Sequence, residues 1–187
     1  MASTSIPIAA QEAEDPFLWL EEVEGARAME WVASHNARTL AELQASPVYQ
    51  PIFERTREIL DSQDRIAFPS ILGDRLYNFW QDAAHPRGIW RRTSWEAYLS
   101  AEPEWEVVLD VDALAAEEGV PWSYGGASCL GPEYRRCVIT LSRGGSDAVE
   151  VREFDLETKT FVEGGFTLPE AKSRVGWIDV DRIYVGT

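Results

Sequence analysis

Proton transfer near neutral pH calls for histidine, and this chain has two, His35 and His85. Two short runs place a serine after Gly-x: Gly126 to Leu130 (GASCL) and Gly144 to Ala148 (GGSDA). Acyl transfer by serine needs its nucleophile on a sharp strand-to-helix turn, written G-x-S-x-G, with a histidine base that a carboxylate orients. Both runs lack the closing glycine and neither leads into a helical pattern, so both read as structural turns. His35 lies on a long helical pattern beside its apolar seam and reads as a surface or docking residue. His85 precedes Pro86 in a loop and has no nucleophile beside it in the sequence. No triad can be assembled, and no catalytic residue is assigned.

Other chemistries fare no better. A glycosidase-like acid pair is conceivable at Asp110 and Asp112, or at Asp179 and Asp181, each pair expected on one strand face. Such pairs more often end strands and start turns. The eight tryptophans invite a carbohydrate- or proline-binding reading. Trp80, Trp90, Trp95 and Trp105 are instead expected to fill the space between adjacent sheets. Glycines at 125–126, 144–145 and 164–165 lack the following helix with Lys-Ser/Thr of a phosphate loop and read as hairpin turns. Cys129 and Cys137 are the only cysteines. A hairpin bridge between them is possible, but a reduced, cytosolic pair is the expectation. With no third ligand nearby, no metal site and no cofactor site are assigned.

The elements behind these residues fall into two regions. Asp15-Pro16 opens a helical turn, since aspartate caps and proline suits the first helical position. Gly25 separates it from a helix over 26–45, with Met29, Val32, Asn36, Leu40 and Leu43 on one face. Pro47 and Pro51 interrupt the pattern. A second amphipathic helix runs to about Asp61, with Ile52, Phe53, Thr56, Ile59 and Leu60 inward. Beyond Asp64 the period becomes two. Two runs broken by Gly73-Asp74 form a hairpin, and 88–99 and 104–114 complete four strands. The order then recurs. Arg75-Leu76-Tyr77, Arg136-Cys137-Val138 and Arg182-Ile183-Tyr184 correspond, at intervals of 61 and 46 residues, irregular but near the ~40–50 residues of propeller blades.

Mainly β architecture with an N-terminal helical segment is therefore expected. The β part reads as a partial β-propeller of four-stranded antiparallel sheets, about two blades and the start of a third. The expected boundaries are a flexible leader over 1–14, a helical arm over 15–62 and the propeller over 63–187. Within it, blade one spans about 64–115, blade two about 120–168, and blade three begins at 171–187.

The motifs D-P-x-x-W-L-E (Asp15, Pro16, Trp19, Leu20, Glu21) and W-V-x-x-x-N-x-x-T (Trp31, Val32, Asn36, Thr39) precede a propeller pattern. In that order they resemble the amino-terminal region of the prolyl oligopeptidase family of serine peptidases. The strand end V-L-D-x-D-A-L at 108–114 looks like that family's first blade, and 140–158 is similar to its second. The resemblance covers Asp15 to Thr187. It implies a helical arm packed on a carboxy-terminal α/β-hydrolase domain, with the propeller covering a Ser-Asp-His triad and admitting short peptides. The hydrolase domain would lie beyond Thr187, so this segment alone is expected to be inactive. Trp19 and Trp31 would then be anchors onto that domain or onto the propeller wall.

The balance of 32 acidic to 17 basic residues gives a formal charge of −15. Such a surface repels phosphate, which argues against nucleic acid and anionic membrane as partners. No stretch reaches the ~20 apolar residues of a membrane-spanning helix, and the start lacks a signal-peptide pattern. The cytoplasm is the expected compartment. Two other readings remain open: a short binding protein that oligomerises to complete a ring, and a carbohydrate-active β-domain.

Overall fold

A computed structural model describes residues 15–62, 64 and 66–187. The leader expected over 1–14 lies outside the described residues. The chain divides into two compact units, one ending at Leu60 and the other starting at Asp61.

In the first unit Asp15 Oδ1 accepts the backbone N–H of Phe17 at 2.8 Å, and a 3₁₀ turn follows over Leu18–Glu21. Gly25 caps helix α1 (Ala26–Gln44), and helix α2 (Tyr49–Leu60) follows a short turn. Pro51, expected to break the helix, sits inside the first turn of α2. There its missing N–H has no intrahelical partner to lose.

The second unit is built of antiparallel sheets. Strands β1 (Ser70–Leu72), β2 (Arg75–Trp80), β3 (Ile89–Ser94) and β4 (Glu106–Asp110) form the first, paired in sequence order. The β1–β2 hairpin turns at Gly73, whose φ of 61° suits a residue without a β-carbon. Strand β3 stops at Ser94, earlier than expected, because Ser94 Oγ accepts from the N–H of Ala97 and starts the short helix α3 (Trp95–Tyr98). Asp110 likewise accepts from the N–H of Ala113 at 2.9 Å and caps helix α4 (Val111–Glu118), which ends at Gly119 with φ 66°. Alternation had suggested strand through this stretch. The caps and an alanine-rich run decide for helix.

Strands β5 (Trp122–Cys129), β6 (Arg136–Arg143) and β7 (Val149–Asp155) form the second sheet. Its outer edge is shared by two short strands, β8 (Thr160–Phe161) and β9 (Thr167–Ala171), so the sheet has five strands. Gly125-Gly126 is not a hairpin turn. It lies within β5 where the register shifts, with Gly126 at φ 129°. Strands β10 (Arg174–Asp179) and β11 (Arg182–Gly186) form a third, two-stranded sheet. The matched triplets at 75, 136 and 182 each open the second strand of their sheet.

The core lies between the first two sheets. Trp90, 4% exposed, packs its ring against Tyr77 at 5.3 Å, Tyr124 at 6.0 Å and Phe154 at 6.4 Å. Phe79 stacks on Tyr124 at 4.7 Å. Val111 and Leu114 of α4 join this cluster with Trp122, Ile139 and Leu141. Sheets that lean on one another face to face and do not close into a ring are the construction of successive propeller blades.

Candidate functional site

The serines and histidines singled out in the sequence lie in separate elements. Ser128 lies in β5, and Ser146 sits between β6 and β7, donating its hydroxyl to the carbonyl of Ala148. His35 stacks on Trp31 at 3.9 Å between centroids, and its Nδ1 lies 2.8 Å from the Trp31 carbonyl. Ser34 Oγ lies 3.4 Å from that ring, but its hydroxyl bonds the Trp31 carbonyl at 2.9 Å. His85 Nδ1 meets Asp82 Oδ1 at 3.0 Å, a partner that sequence reasoning missed although D-x-x-H signals it. Burial pushes the Asp82 carboxyl up. Hydrogen bonds from the backbone and ring of His85, from the Trp80 indole and from the Ala84 N–H outweigh it, leaving it below its ordinary value. The result is a loop between β2 and β3 tied down by Asp82.

The acid pairs also come apart. Asp110 is the cap of α4, while Asp112 sits in its first turn and accepts the backbone N–H groups of Arg87 and Gly88. Asp179 ends β10 and holds Arg182, with Asp181 in the following turn. Neither pair shares a strand face, as had been expected of both. Among the described residues no three His, Cys, Asp or Glu side chains gather to hold a metal ion.

Only Trp90 of the four blade-one tryptophans is fully buried. Trp80 and Trp105 sandwich the Arg91 guanidinium at 4.3 and 4.4 Å, and Trp95 is 48% exposed on α3. Burial pushes the Arg91 guanidinium below its ordinary value, and the nearby Asp82 partly offsets it. The expected reduced cysteine pair is corrected. Cys129 and Cys137 stand directly opposite each other in the β5–β6 register and form a disulfide, with Cα atoms 3.9 Å apart. An eight-residue separation folded back on itself as a hairpin brings them together.

Two surfaces remain as candidates for function. The first is the seam between sheets one and two. Arg92 of β3 forks onto both oxygens of Glu106, at 2.6 and 3.2 Å, and also donates to the carbonyl of Leu156, in the turn just after β7 of the second sheet. Lys159, just beyond β7, reaches Glu106 at 2.6 Å. Hydrogen bonds from Arg92 and then Lys159 hold the Glu106 carboxyl down at about 2. Farther along the seam, Arg152 pairs with Glu118, which also accepts the Trp122 indole N–H. Beside the Arg92 group opens a cleft of about 310 Å³, walled by Gly73, Arg75, Tyr134, Arg135, Leu156 and their neighbours.

The second surface is on the helical unit, where Ala28 is the only buried residue within the two helices. The faces expected to point inward are open instead. Met29, Val32, Leu40 and Leu43 of α1 and Ile52, Phe53, Ile59 and Leu60 of α2 are all exposed. Leu43, Val48, Tyr49, Ile52 and Phe53 line an apolar groove of about 370 Å³. Trp31 touches Trp19 edge-on at 6.5 Å, with Arg27 over the Trp19 ring, yet stays 43% exposed. An amphipathic helix that leaves its apolar stripe uncovered is built to be covered.

Comparison with known proteins bears on both surfaces. The model of the prolyl oligopeptidase N-terminal β-propeller domain matches residues 5–187. An uncharacterized peptidase of Sinorhizobium fredii is 47% identical over 178 residues, 95% of this chain and 24% of its own length. One from Rickettsia prowazekii is 37% identical over 148 residues, 79% of this chain and 20% of its own. Among solved structures, a post-proline cleaving enzyme from Rickettsia typhi superposes with a TM-score of 0.75 at 36% identity, over 86% of this chain and 24% of that one. Oligopeptidase B from Leishmania major superposes at 0.64 with 14% identity, over 88% and 23%, a likeness of fold. The chain thus spans between a fifth and a quarter of the length of the curated relatives it matches.

Proposed function

Because the chain belongs to the prolyl oligopeptidase family, as its amino-terminal β-propeller region, we propose that it is the scaffold and substrate-gating part of a serine peptidase that hydrolyses short peptides. The observation that carries this reading is the likeness to the post-proline cleaving enzyme of Rickettsia typhi, a chain about four times as long. In this role the helical unit offers its open apolar stripe to a carboxy-terminal α/β-hydrolase domain of the same polypeptide. The stacked sheets wall off the space above the active site, and their closely packed faces keep folded proteins out while short peptides pass. Hydrolysis belongs to the hydrolase domain. The proposed compartment is the cytoplasm, on the sequence features alone.

The test compares the full-length protein with residues 1–187 on a proline-containing fluorogenic peptide. The full-length protein should cleave it and lose activity to a serine-reactive phosphonate, and the 187-residue chain should not cleave it. A full-length protein inert towards such peptides would overturn the peptidase reading. Cleavage by residues 1–187 would overturn the scaffold role.

A further inference from the structure

We propose that the Cys129–Cys137 bond is a redox-sensitive pin. Its state sets how firmly the loop over 130–135 holds the first two sheets together at the cleft between them. The inference stands on where the pair sits. The bond sits at the loop end of the β5–β6 hairpin, and the loop it closes places Tyr134 beside Gly73 of the first sheet, with Arg135 lining the same cleft. A β-carbon placed on Gly73 would lie 3.5 Å from Tyr134 Cδ2, and one on Gly131 would lie 3.4 Å from its Cζ, so the ring rests between its own loop and the β1–β2 turn. Arg135 binds Asp155 through Nε at 2.9 Å, and its carbonyl accepts the N–H of Leu156. Leu156 in turn gives its carbonyl to Arg92 of the first sheet. The pinned loop is therefore one end of the tie between sheets.

Access and reversibility follow from burial and backbone bonding. Cys137 is fully buried, whereas Cys129 is partly exposed at the edge strand of the sheet. A thiolate of a dithiol reductant attacks Cys129 Sγ, the Sγ–Sγ bond breaks, and Cys137 leaves as thiolate. The second thiol of the reductant then attacks the mixed disulfide and releases Cys129. Two electrons pass from the dithiol to the pair, and the two reductant protons end on the cysteine sulfurs. Opening the bond does not open the hairpin: the Leu130 N–H still donates to the Arg136 carbonyl, and the Tyr134 N–H to that of Leu130. Only the cross-link's restriction of the loop is lost.

Hydrogen exchange by mass spectrometry on the full-length protein, oxidised and then treated with a dithiol, tests this. Reduction should speed exchange in 130–135 and in the facing turn at 72–75 by about tenfold or more, while the centre of β6 and β7 stays protected. The C129S/C137A double variant should show the fast pattern with or without reductant. Where that variant fails to fold, the wild-type comparison decides. Unchanged exchange on reduction, general loss of protection across the second sheet, or two free thiols in the oxidised protein would each overturn the proposal. None of these readouts depends on peptidase activity.

Discussion

Replacing Trp90 measures how strongly the first two sheets press together. Its indole is 4% exposed and touches Tyr77 on its own sheet and Tyr124 and Phe154 on the next. A tryptophan buries about 150–250 Å², worth ~4–6 kcal/mol at ~25 cal/mol per Å². Compactness of the unfolded chain and the area alanine still buries lower this, while the cavity left behind raises it. Trp90→Ala should therefore cost about 3–5 kcal/mol, within the range for large aromatic truncations. Trp90→Phe keeps a ring against Tyr124 and Phe154 and should cost about 1–2 kcal/mol. Trp95, 48% exposed, is the control, and Trp95→Ala should cost no more than about 0.5 kcal/mol. Urea unfolding of the full-length protein, followed by pulse proteolysis of this region, reads all three. A Trp90→Ala loss below about 1 kcal/mol, or a Trp95→Ala loss equal to it, would refute the claim that this ring joins the sheets.

Three further substitutions probe the seam and the backbone. Arg92 and Lys159 hold the Glu106 carboxyl at about 2, below its ordinary 4.5. The unfolded chain thus takes up the proton first, so the stability is present above about pH 4.5 and lost as pH falls toward 2. The Glu106 side chain is 44% exposed, so screening keeps its worth below about 1 kcal/mol. E106Q should flatten the fall in stability across this window most clearly at low salt, and identical slopes for the two proteins would count against the clasp. At Gly88 (φ 95°), an added β-carbon would run into the Phe79 ring at Cζ. Gly88→Ala should cost about 2 kcal/mol or more, whereas Gly144→Ala (φ 63°), with open space around it, should cost about 1. Thermal melts of the two variants that coincide would refute the distinction.

Much of this architecture was legible in the residues. The helices over 26–44 and 49–60 follow from apolar spacing of three and four, and the capping Gly25 marks where the first begins. The shift to a period of two after Asp64, with Gly73 at its first turn, marks the sheets. These are short-range matters, settled within a turn or a hairpin by backbone geometry and local side-chain preference. The motifs from Asp15 to Thr39 pointed to the family for the same reason, since they are runs of neighbouring residues.

Partnership at a distance was not legible. Asp110 and Asp112 alternate like strand residues, yet one caps α4 and the other ties down the backbone at Arg87 and Gly88, some twenty-five positions away. Trp90 and Trp95 look alike in sequence, and only the second sheet makes one a core residue and leaves the other on the surface. Glu106 meets Lys159 because two sheets stack, and Cys129 meets Cys137 because β5 and β6 pair in one register rather than its neighbour. Local propensity therefore determined the elements of this chain. Tertiary stacking decided which charges pair across the sheets and which rings are buried, because those depend on strands that share no local sequence, while the register of one hairpin decided that the two thiols meet.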